Sequence, residues 1–170
     1  SEAKAITSRK IFAAGGTPPP VAPRAKGDGF VFSFRTPVAE DGPAISALIA
    51  ACPPLDTNSA YCNLLQCSHF ADICVVAERA GRIAGWISAY RPPSEPECLF
   101  VWQVAVDAAE RGKGLGGRMI DALLTRASAA GATTLITTVT DDNAASWSMF
   151  AGYACRRGMT LTKAPKFERD

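Results

Sequence analysis

A glycine-rich segment in the second half of the chain has the residue types that bind phosphate groups. It runs from Arg111 to Gly117 and leads directly into a stretch with a helical apolar stripe, formed by Met119, Ile120, Leu123, Leu124 and Ala127. Glycines let the backbone approach a ligand closely, and the first N–H groups of a helix have no acceptor within the helix. The segment therefore predicts a site for a pyrophosphate at a helix N-terminus.

Two common phosphate-binding motifs do not fit this segment. A Walker P-loop requires Gly-Lys-Ser/Thr, whereas Gly117 is followed by Arg118 and Met119. The letters of a dinucleotide fingerprint are present in 112–117, but that motif directly follows its strand and has an acidic residue about 20 residues later. Here the polar stretch 107–110 intervenes and no acid ends the next strand, which favours a different phosphate ligand.

Other residue types that could do chemistry are sparse. Asp56 lies in a polar loop, where an aspartate commonly has a turn or helix-cap role. His69 is the single histidine, so a zinc site lacks ligands, and a structural or capping role is expected for it. Cys67 and Cys98 could be read as nucleophiles, but no charged cluster supports a thiolate there.

Composition indicates an ordinary globular protein rather than a nucleic-acid-binding or membrane protein. Hydrophobic residues make up 48%, charged residues 20%, and the net charge is only +2. Apolar runs are too short for a membrane span, and the six cysteines show no CxxC spacing. We expect reduced thiols in a soluble, cytoplasmic protein that binds no metal, nucleic acid or membrane.

The chain divides into two parts. Residues 1–29 are rich in Gly and Pro and predict a flexible N-terminal arm, because such a composition buries too little apolar area to offset its ordering entropy. Residues 30–170 then form the domain. Periodicity predicts strands at 30–34, 73–78, 82–90, 98–106, 133–139 and 153–161, and helices at 40–52, 60–70 and 143–150 besides the one after the glycine-rich loop.

The strand 98–106 is central to this arrangement. Its alternation places Phe100, Trp102, Val104 and Val106 on one face and Leu99, Val101 and Ala105 on the other, with Gln103 alone breaking the apolar pattern. A strand that is apolar on both faces is buried on both faces. The expected fold is therefore an α/β domain whose central sheet is covered by helices on each side.

The order of these motifs resembles the GCN5-related N-acetyltransferase superfamily. The run Arg111-Gly112-Lys113-Gly114-Leu115-Gly116 matches its coenzyme A loop, Val104-Ala105-Val106 its splayed strand, and Asn143 its later helix-starting Asn. The resemblance implies that superfamily's fold, with a mixed central sheet, and acetyl-CoA as co-substrate without a metal. It implies cofactor contacts from Val104, Ala105, Val106, Arg111, Gly112, Lys113, Gly114, Leu115, Gly116, Gly117 and Asn143.

Four further segments are similar to the diaminobutyrate acetyltransferases of ectoine synthesis. They are 55–62, 68–72, 100–106 and 137–146, and the likeness covers about residues 31–153. It implies acetyl transfer to the 4-amino group of L-2,4-diaminobutyrate. Homodimers are common in the superfamily, and we keep a homodimer as an expectation.

The implied reaction assigns roles to named residues. An ammonium must lose a proton, and the oxyanion formed on the thioester carbonyl needs a donor. Asp56 is the candidate anchor or base, Tyr61 a candidate acid, and a backbone N–H near Val104 the candidate donor. Expected substrate contacts come from Asp56, Asn58, Ser59, Tyr61, Trp102 and Thr138.

One position departs from the superfamily's pattern and leaves alternatives open. Phe150 stands where many members have the tyrosine that protonates the leaving thiolate, so that residue has no acid role in this chain. The sequence given also stops at Asp170, before the further acidic and aromatic residues usual in the family. A different small amine or a peptide as acceptor, or a non-catalytic acetyl-CoA-binding module, are the alternative functions.

Overall fold

The protein is described by a computed structural model, which covers residues 3–9, 31–129 and 131–165. Within these ranges the chain forms seven strands and four α-helices, with short 3-10 turns between them. The elements are β1 (Ala3–Arg9), β2 (Ser33–Arg35), α1 (Gly42–Ala50), α2 (Ala60–Ser68), β3 (Val75–Arg79), β4 (Arg82–Tyr90), β5 (Cys98–Val106), α3 (Leu115–Ala129), β6 (Thr134–Thr140), α4 (Ala144–Arg157) and β7 (Thr160–Pro165).

The strands form one mixed sheet in the order β2-β3-β4-β5-β6-β1-β7. Only the pairing of β5 with β6 is parallel among the described strands, and the others are antiparallel. Parallel neighbours need a crossover, which α3 provides between β5 and β6. The predicted α/β architecture with a mixed sheet is thus confirmed.

Helices cover both faces of the sheet, as the apolar pattern of its strands requires. On one face, Ile45 and Ile49 of α1 pack with Trp86 of β4 in a fully buried layer. On the other, Met119 and Leu123 of α3 pack with the buried residues of β3, β4 and β5. Helix α4 lies against α3 and β7.

The side-chain alternation of β5 is interrupted at Trp102. Val101 pairs with Ala89 and Gln103 with the adjacent Ser88, so Trp102 is the extra residue of a β-bulge. The strict alternation predicted from the sequence is therefore wrong. Val104 and Val106 share the α3 layer with Leu99 and Val101, whereas Ala105 joins the α1 layer, because the bulge exchanges the two faces of the strand.

Part of the predicted N-terminal arm pairs in the sheet. Strand β1 lies between β6 and β7 and is antiparallel to both. It pairs with β6 from Ala3↔Thr140 to Arg9↔Thr134, and with β7 from Lys4↔Pro165 to Arg9↔Thr160. Its composition gave no signal of this, because its pairing partners follow more than 120 residues later. Residues 10–29 of the predicted arm lie outside the described residues, and the boundary at residue 30 stays a prediction.

The end of the chain differs from the sequence-based prediction. The helix expected to stop at Gly152 continues to Arg157, and the expected strand 153–161 is only β7. A glycine inside a helix costs about 1 kcal/mol relative to alanine. Burial of Phe150, Tyr153 and Ala154 against α3 outweighs this cost, and α4 ends instead at Gly158, whose φ is 61°.

Candidate active site

A cleft opens where β5 and β6 part from each other. The two strands pair only from Cys98↔Thr134 to Val101↔Thr137, although both continue beyond those residues. The last paired residues are locked together, since the Thr137 hydroxyl donates to the Val101 carbonyl at 3.0 Å. Beyond this point the backbone of β5 has no described strand partner on its β6 side, so its polar groups can bind a ligand.

The cleft has a volume of about 390 Å³, within the range of small-molecule sites. The glycine-rich loop, the first turn of α3, the end of β5 and the first turns of α4 form its walls. It is lined by Cys52, Pro53, Pro54, Leu55, Val104, Val106, Glu110, Arg111, Gly112, Gly114, Leu115, Gly116, Gly117, Asn143, Ala145, Ser146, Ser148, Met149 and Arg156.

The glycine-rich loop has the backbone shape of an anion site. Gly112 and Gly114 both have a φ of 74°, a left-handed conformation that other residues rarely adopt. The first helical bond of α3 runs from the Arg118 N–H to the Gly114 carbonyl at 3.2 Å. The preceding N–H groups at the helix start therefore have no acceptor within the helix and face the cleft with the positive end of its dipole.

The two basic residues of this loop have different surroundings. Arg111 donates from Nε to the Val106 carbonyl at 3.2 Å and from Nη2 to Cys52 Sγ at 3.4 Å, which ties the loop to the end of β5. Lys113 lies outside the cleft lining and donates to Glu110 at 3.0 Å. This bond holds the pKa of Glu110 below its ordinary value, with Arg79 acting in the same direction.

Asn143 lies at the opposite wall and caps α4. Its Oδ1 accepts a hydrogen bond from the Ser146 N–H at 3.1 Å, which satisfies one of the free donors of the helix start. The structure therefore gives Asn143 a structural role at the edge of the cleft. Of the predicted cofactor residues, Ala105 and Lys113 are the two that do not line it, and Ala105 is buried against α1.

The loop between α1 and α2 is bound to the sheet by buried amides. Gln103 is 5% exposed and donates from Nε2 to the Asp56 carbonyl at 2.6 Å. Its Oε1 accepts from Asn58 Nδ2 at 2.7 Å, and Asn58 also donates to Asn63 at 3.2 Å. Gln103 was noted in the sequence only as a break in an apolar strand. That break was the signal of its role in holding the loop.

The predicted substrate residues lie on and around this loop. The side chains of Asp56, Tyr61 and Trp102 are exposed and open to a ligand, with 70% of Tyr61 accessible. Ser59 caps α2, because its hydroxyl accepts from the Cys62 N–H at 3.1 Å. Thr138 is half-buried on β6.

Two aromatic residues that sequence reasoning did not assign extend the wall around Trp102. The ring of Tyr90 lies 6.2 Å from that of Trp102 and 5.1 Å from that of Phe100, between centroids. Tyr90 and Phe100 are register partners on β4 and β5. Trp102 is 46% exposed and is therefore not a core tryptophan.

Neither Phe150 nor Tyr153 of α4 is placed to act as an acid. Phe150 is 6% exposed and packs in the α3 layer. The hydroxyl of Tyr153 donates to Asp121 at 2.7 Å, and burial, together with this bond, raises the pKa of Tyr153 above its ordinary value.

Cys67 and Cys74 lack the surroundings of nucleophiles. Burial raises the pKa of Cys67 to about 11 and that of Cys74 to about 12, so both are protonated thiols near neutral pH. The six cysteines form no disulfide in the described part of the chain. Within the same ranges, no group of three or more His, Cys, Asp and Glu side chains could hold a metal ion, and no helix is long and apolar enough to cross a membrane.

Comparisons with known proteins agree with this geometry. Residues 43–153 match the model of the acetyltransferase (GNAT) family. The chain is similar to the L-2,4-diaminobutyric acid acetyltransferase of Vibrio cholerae, with 52% identity over 69% of this chain and 68% of that protein. It is also similar to the enzyme of the same name from Bordetella parapertussis, with 44% identity over 91% of this chain and 83% of that one.

A solved structure shows the same likeness in three dimensions. It is the diaminobutyrate acetyltransferase from Paenibacillus lautus in complex with its substrate L-2,4-diaminobutyric acid and coenzyme A. The match has a TM-score of 0.74 and 33% identity, and it covers 84% of this chain and 99% of that chain.

Proposed function

Because this chain belongs to the GNAT family of acetyltransferases and, within it, to the L-2,4-diaminobutyric acid acetyltransferases, we propose that it acetylates L-2,4-diaminobutyrate. The acetyl group of acetyl-CoA goes to the 4-amino group, and the product is the precursor of ectoine. The observation that carries this function is the match to a structure with that substrate and coenzyme A, which extends over nearly the whole of that chain.

The cleft between β5 and β6 supports acetyl-CoA as the co-substrate. The N–H groups at the start of α3 and the left-handed glycines 112 and 114 fit a pyrophosphate. The stretch of β5 from Val104 to Val106, which has no described strand partner on its β6 side, then offers backbone groups to the amide-containing arm of coenzyme A. In this proposal Val104 supplies the N–H that stabilises the oxyanion on the thioester carbonyl.

The acceptor amine enters at the loop between α1 and α2, whose first residues, 52–55, also line the cleft. Asp56 is the anionic group there, and it fits an ammonium either as an anchor or as the base that removes its proton. Asn58, Ser59, Tyr61, Trp102 and Thr138 complete the proposed acceptor site. Since Phe150 and Tyr153 are both committed to packing, Tyr61 or solvent protonates the departing thiolate.

The measurement that tests this function is acetyl-CoA-dependent thiol release. L-2,4-diaminobutyrate is compared with ornithine, lysine, spermidine and a peptide as acceptors. We expect a strong preference for diaminobutyrate, with activity abolished by Asp56→Ala and the Kd for coenzyme A, measured by calorimetry, unchanged. The variant Asp56→Asn keeps the size of the side chain and isolates its charge.

Each contrary result identifies a different error. Efficient turnover of another amine would support acetyltransferase activity but contradict a role in ectoine synthesis. Binding of acetyl-CoA without turnover of any acceptor would favour the non-catalytic module. Full activity of both Asp56 variants would reject the acceptor site as placed here.

Three further features belong to this proposal. We place the catalytic domain in residues 30–170, the protein in the cytoplasm, and the working unit as a homodimer. The biosynthetic role of the relatives and the absence of disulfides among the described cysteines support the cytoplasm. Light scattering coupled to gel filtration measures the oligomeric state directly.

A further inference from the structure

Two neighbouring arginines at the end of α4 have different environments. Arg157 forms an ion pair with Asp121, and its guanidinium carbon lies 5.9 Å from the centroid of the Tyr153 ring. Arg156 is exposed, lines the cleft between β5 and β6, and has no hydrogen bond or ion pair among the described residues. The first arginine holds α4 to α3, whereas the second directs its charge into the cofactor cleft.

The guanidinium of Arg156 lies beside the backbone of two glycines, at positions where a side chain would crowd it. A methyl group placed on Gly117 would lie 3.1 Å from Arg156 Nη2, and one on Gly152 would lie 3.3 Å from Nη1. Gly117 is the third residue of α3. The guanidinium therefore reaches from the last turn of α4 to the first turn of α3, and the missing side chains leave room for it.

This position is electrostatically unfavourable in the absence of an anion. The N-terminus of α3 carries the positive end of its dipole, so a cation beside it is repelled. Glu110, the carboxylate that lines the cleft, is engaged by Arg79 and Lys113. Asp121 is engaged by Arg157 and Tyr153. A bound phosphate would make this arrangement favourable, because it attracts both the guanidinium and the helix N–H groups.

From this arrangement we propose that Arg156 binds a phosphate group of coenzyme A at the N-terminus of α3. The inference rests on the proposed use of acetyl-CoA and assigns part of the cofactor affinity to a residue outside the glycine-rich loop. Coenzyme A carries a pyrophosphate and a 3′-phosphate, and either one has the charge and the oxygens that an arginine fork binds.

The test is calorimetric titration of the protein with coenzyme A and with dephospho-coenzyme A, which lacks the 3′-phosphate. Arg156→Gln is compared with Arg157→Gln, which removes the same charge one residue further along the helix. Since hydrogen bonds to charged groups are the strong ones and this arginine is exposed, we expect Arg156→Gln to weaken coenzyme A binding by about tenfold. Arg157→Gln should lower the melting temperature and change the affinity by less than about twofold, since its charge is engaged by Asp121.

The two ligands identify the phosphate. If the effect of Arg156→Gln is lost with dephospho-coenzyme A, the arginine binds the 3′-phosphate, and if it persists, the arginine binds the pyrophosphate. Both results support the inference. Unchanged affinity of Arg156→Gln for coenzyme A, in a preparation that turns over diaminobutyrate, would overturn this inference alone. No binding of coenzyme A by the unaltered protein would overturn the proposed function and this inference with it.

Discussion

Replacing Gln103 by methionine should disable the acceptor site while leaving the cofactor site intact. Methionine is close to glutamine in size, but it cannot donate to the Asp56 carbonyl at 2.6 Å or accept from Asn58 at 2.7 Å. These two bonds join β5 to the loop that carries Asp56 and Asn58. The cleft lining, by contrast, includes Val104 and Val106 but not Gln103, and the part of the loop that lines it, residues 52–55, precedes the two bonded residues.

The size of the effect follows from the two bonds. A hydrogen bond contributes a net of about 0.5–1.5 kcal/mol, and a buried group left without a partner costs about 1–3 kcal/mol. Asn58 Nδ2 keeps its bond to Asn63 at 3.2 Å, so the penalty for an unpaired group falls mainly on the Asp56 carbonyl. A total of about 2–3 kcal/mol corresponds to a change of about 30- to 150-fold in the population of the docked loop.

The assay is a pair of initial-rate series, each with one substrate varied and the other saturating. We expect kcat/KM for diaminobutyrate to fall by about 10- to 100-fold. The expected fall is somewhat smaller than the change in the docked population, because the loop is already partly undocked in the free protein. KM for acetyl-CoA should stay within about twofold of the original.

Ser88→Ala is the matched control. Ser88 is the register partner of Gln103, is 1% exposed, and has a hydroxyl without a hydrogen-bond partner among the described residues. It lies beside Gln103 but makes no bond to the loop, so Ser88→Ala should leave both kinetic series unchanged.

A cycle with Asn58→Ala gives the second check. The double variant should lose less than the sum of the two single losses, because both changes remove the same bond. Equal losses for both substrates, or additive losses in the cycle, would refute the view that Gln103 acts through the loop.

Two further predictions concern stability. Phe150→Tyr restores the hydroxyl found in many superfamily members, but Phe150 is 6% exposed, so a buried hydroxyl should cost about 1–3 kcal/mol in urea unfolding without raising kcat. A rise in kcat would show that the new hydroxyl reaches the thiolate. The hydrogen bond from Arg35 holds the pKa of Asp41 below its ordinary value. Since an unfolded aspartate titrates near about pH 3.9, the stability that Asp41 contributes relative to Asp41→Asn should be constant at higher pH and be lost as the pH falls through the lowered folded value. Urea unfolding of both proteins at pH 7 and at pH 3 measures the difference between their free energies of unfolding. The same difference at both pH values would show that the ionised Asp41 does not stabilise the fold through Arg35.

The glycine-rich wall of the cleft could be predicted from the sequence because its signals are local. The loop 111–117, its helix and the end of β5 are nearly contiguous, and the strands 82–90 and 98–106 were predicted with the bounds that the structure shows. The acceptor side depends instead on contacts between distant residues. Gln103 donates to the carbonyl of Asp56, which is 47 residues away in the chain, and neither segment contains a pattern that predicts this hydrogen bond. Arg156 was missed for the same reason, together with the prediction that α4 stops before it.

The bulge at Trp102 explains how one strand can serve two sites. With strict alternation, Gln103 would follow Leu99 and Val101 onto the α3 face, where Met119 and Leu123 offer no partner for an amide. The extra residue turns Gln103 toward the loop instead, and it keeps Val104 and Val106 on the cleft side. It also leaves Trp102 exposed beside Tyr90, where a packed strand position would have buried it. A single inserted residue therefore separates the surface of β5 that holds the loop between α1 and α2 from the surface that faces the cleft, and strict alternation fails at the point where the two proposed substrate sites meet.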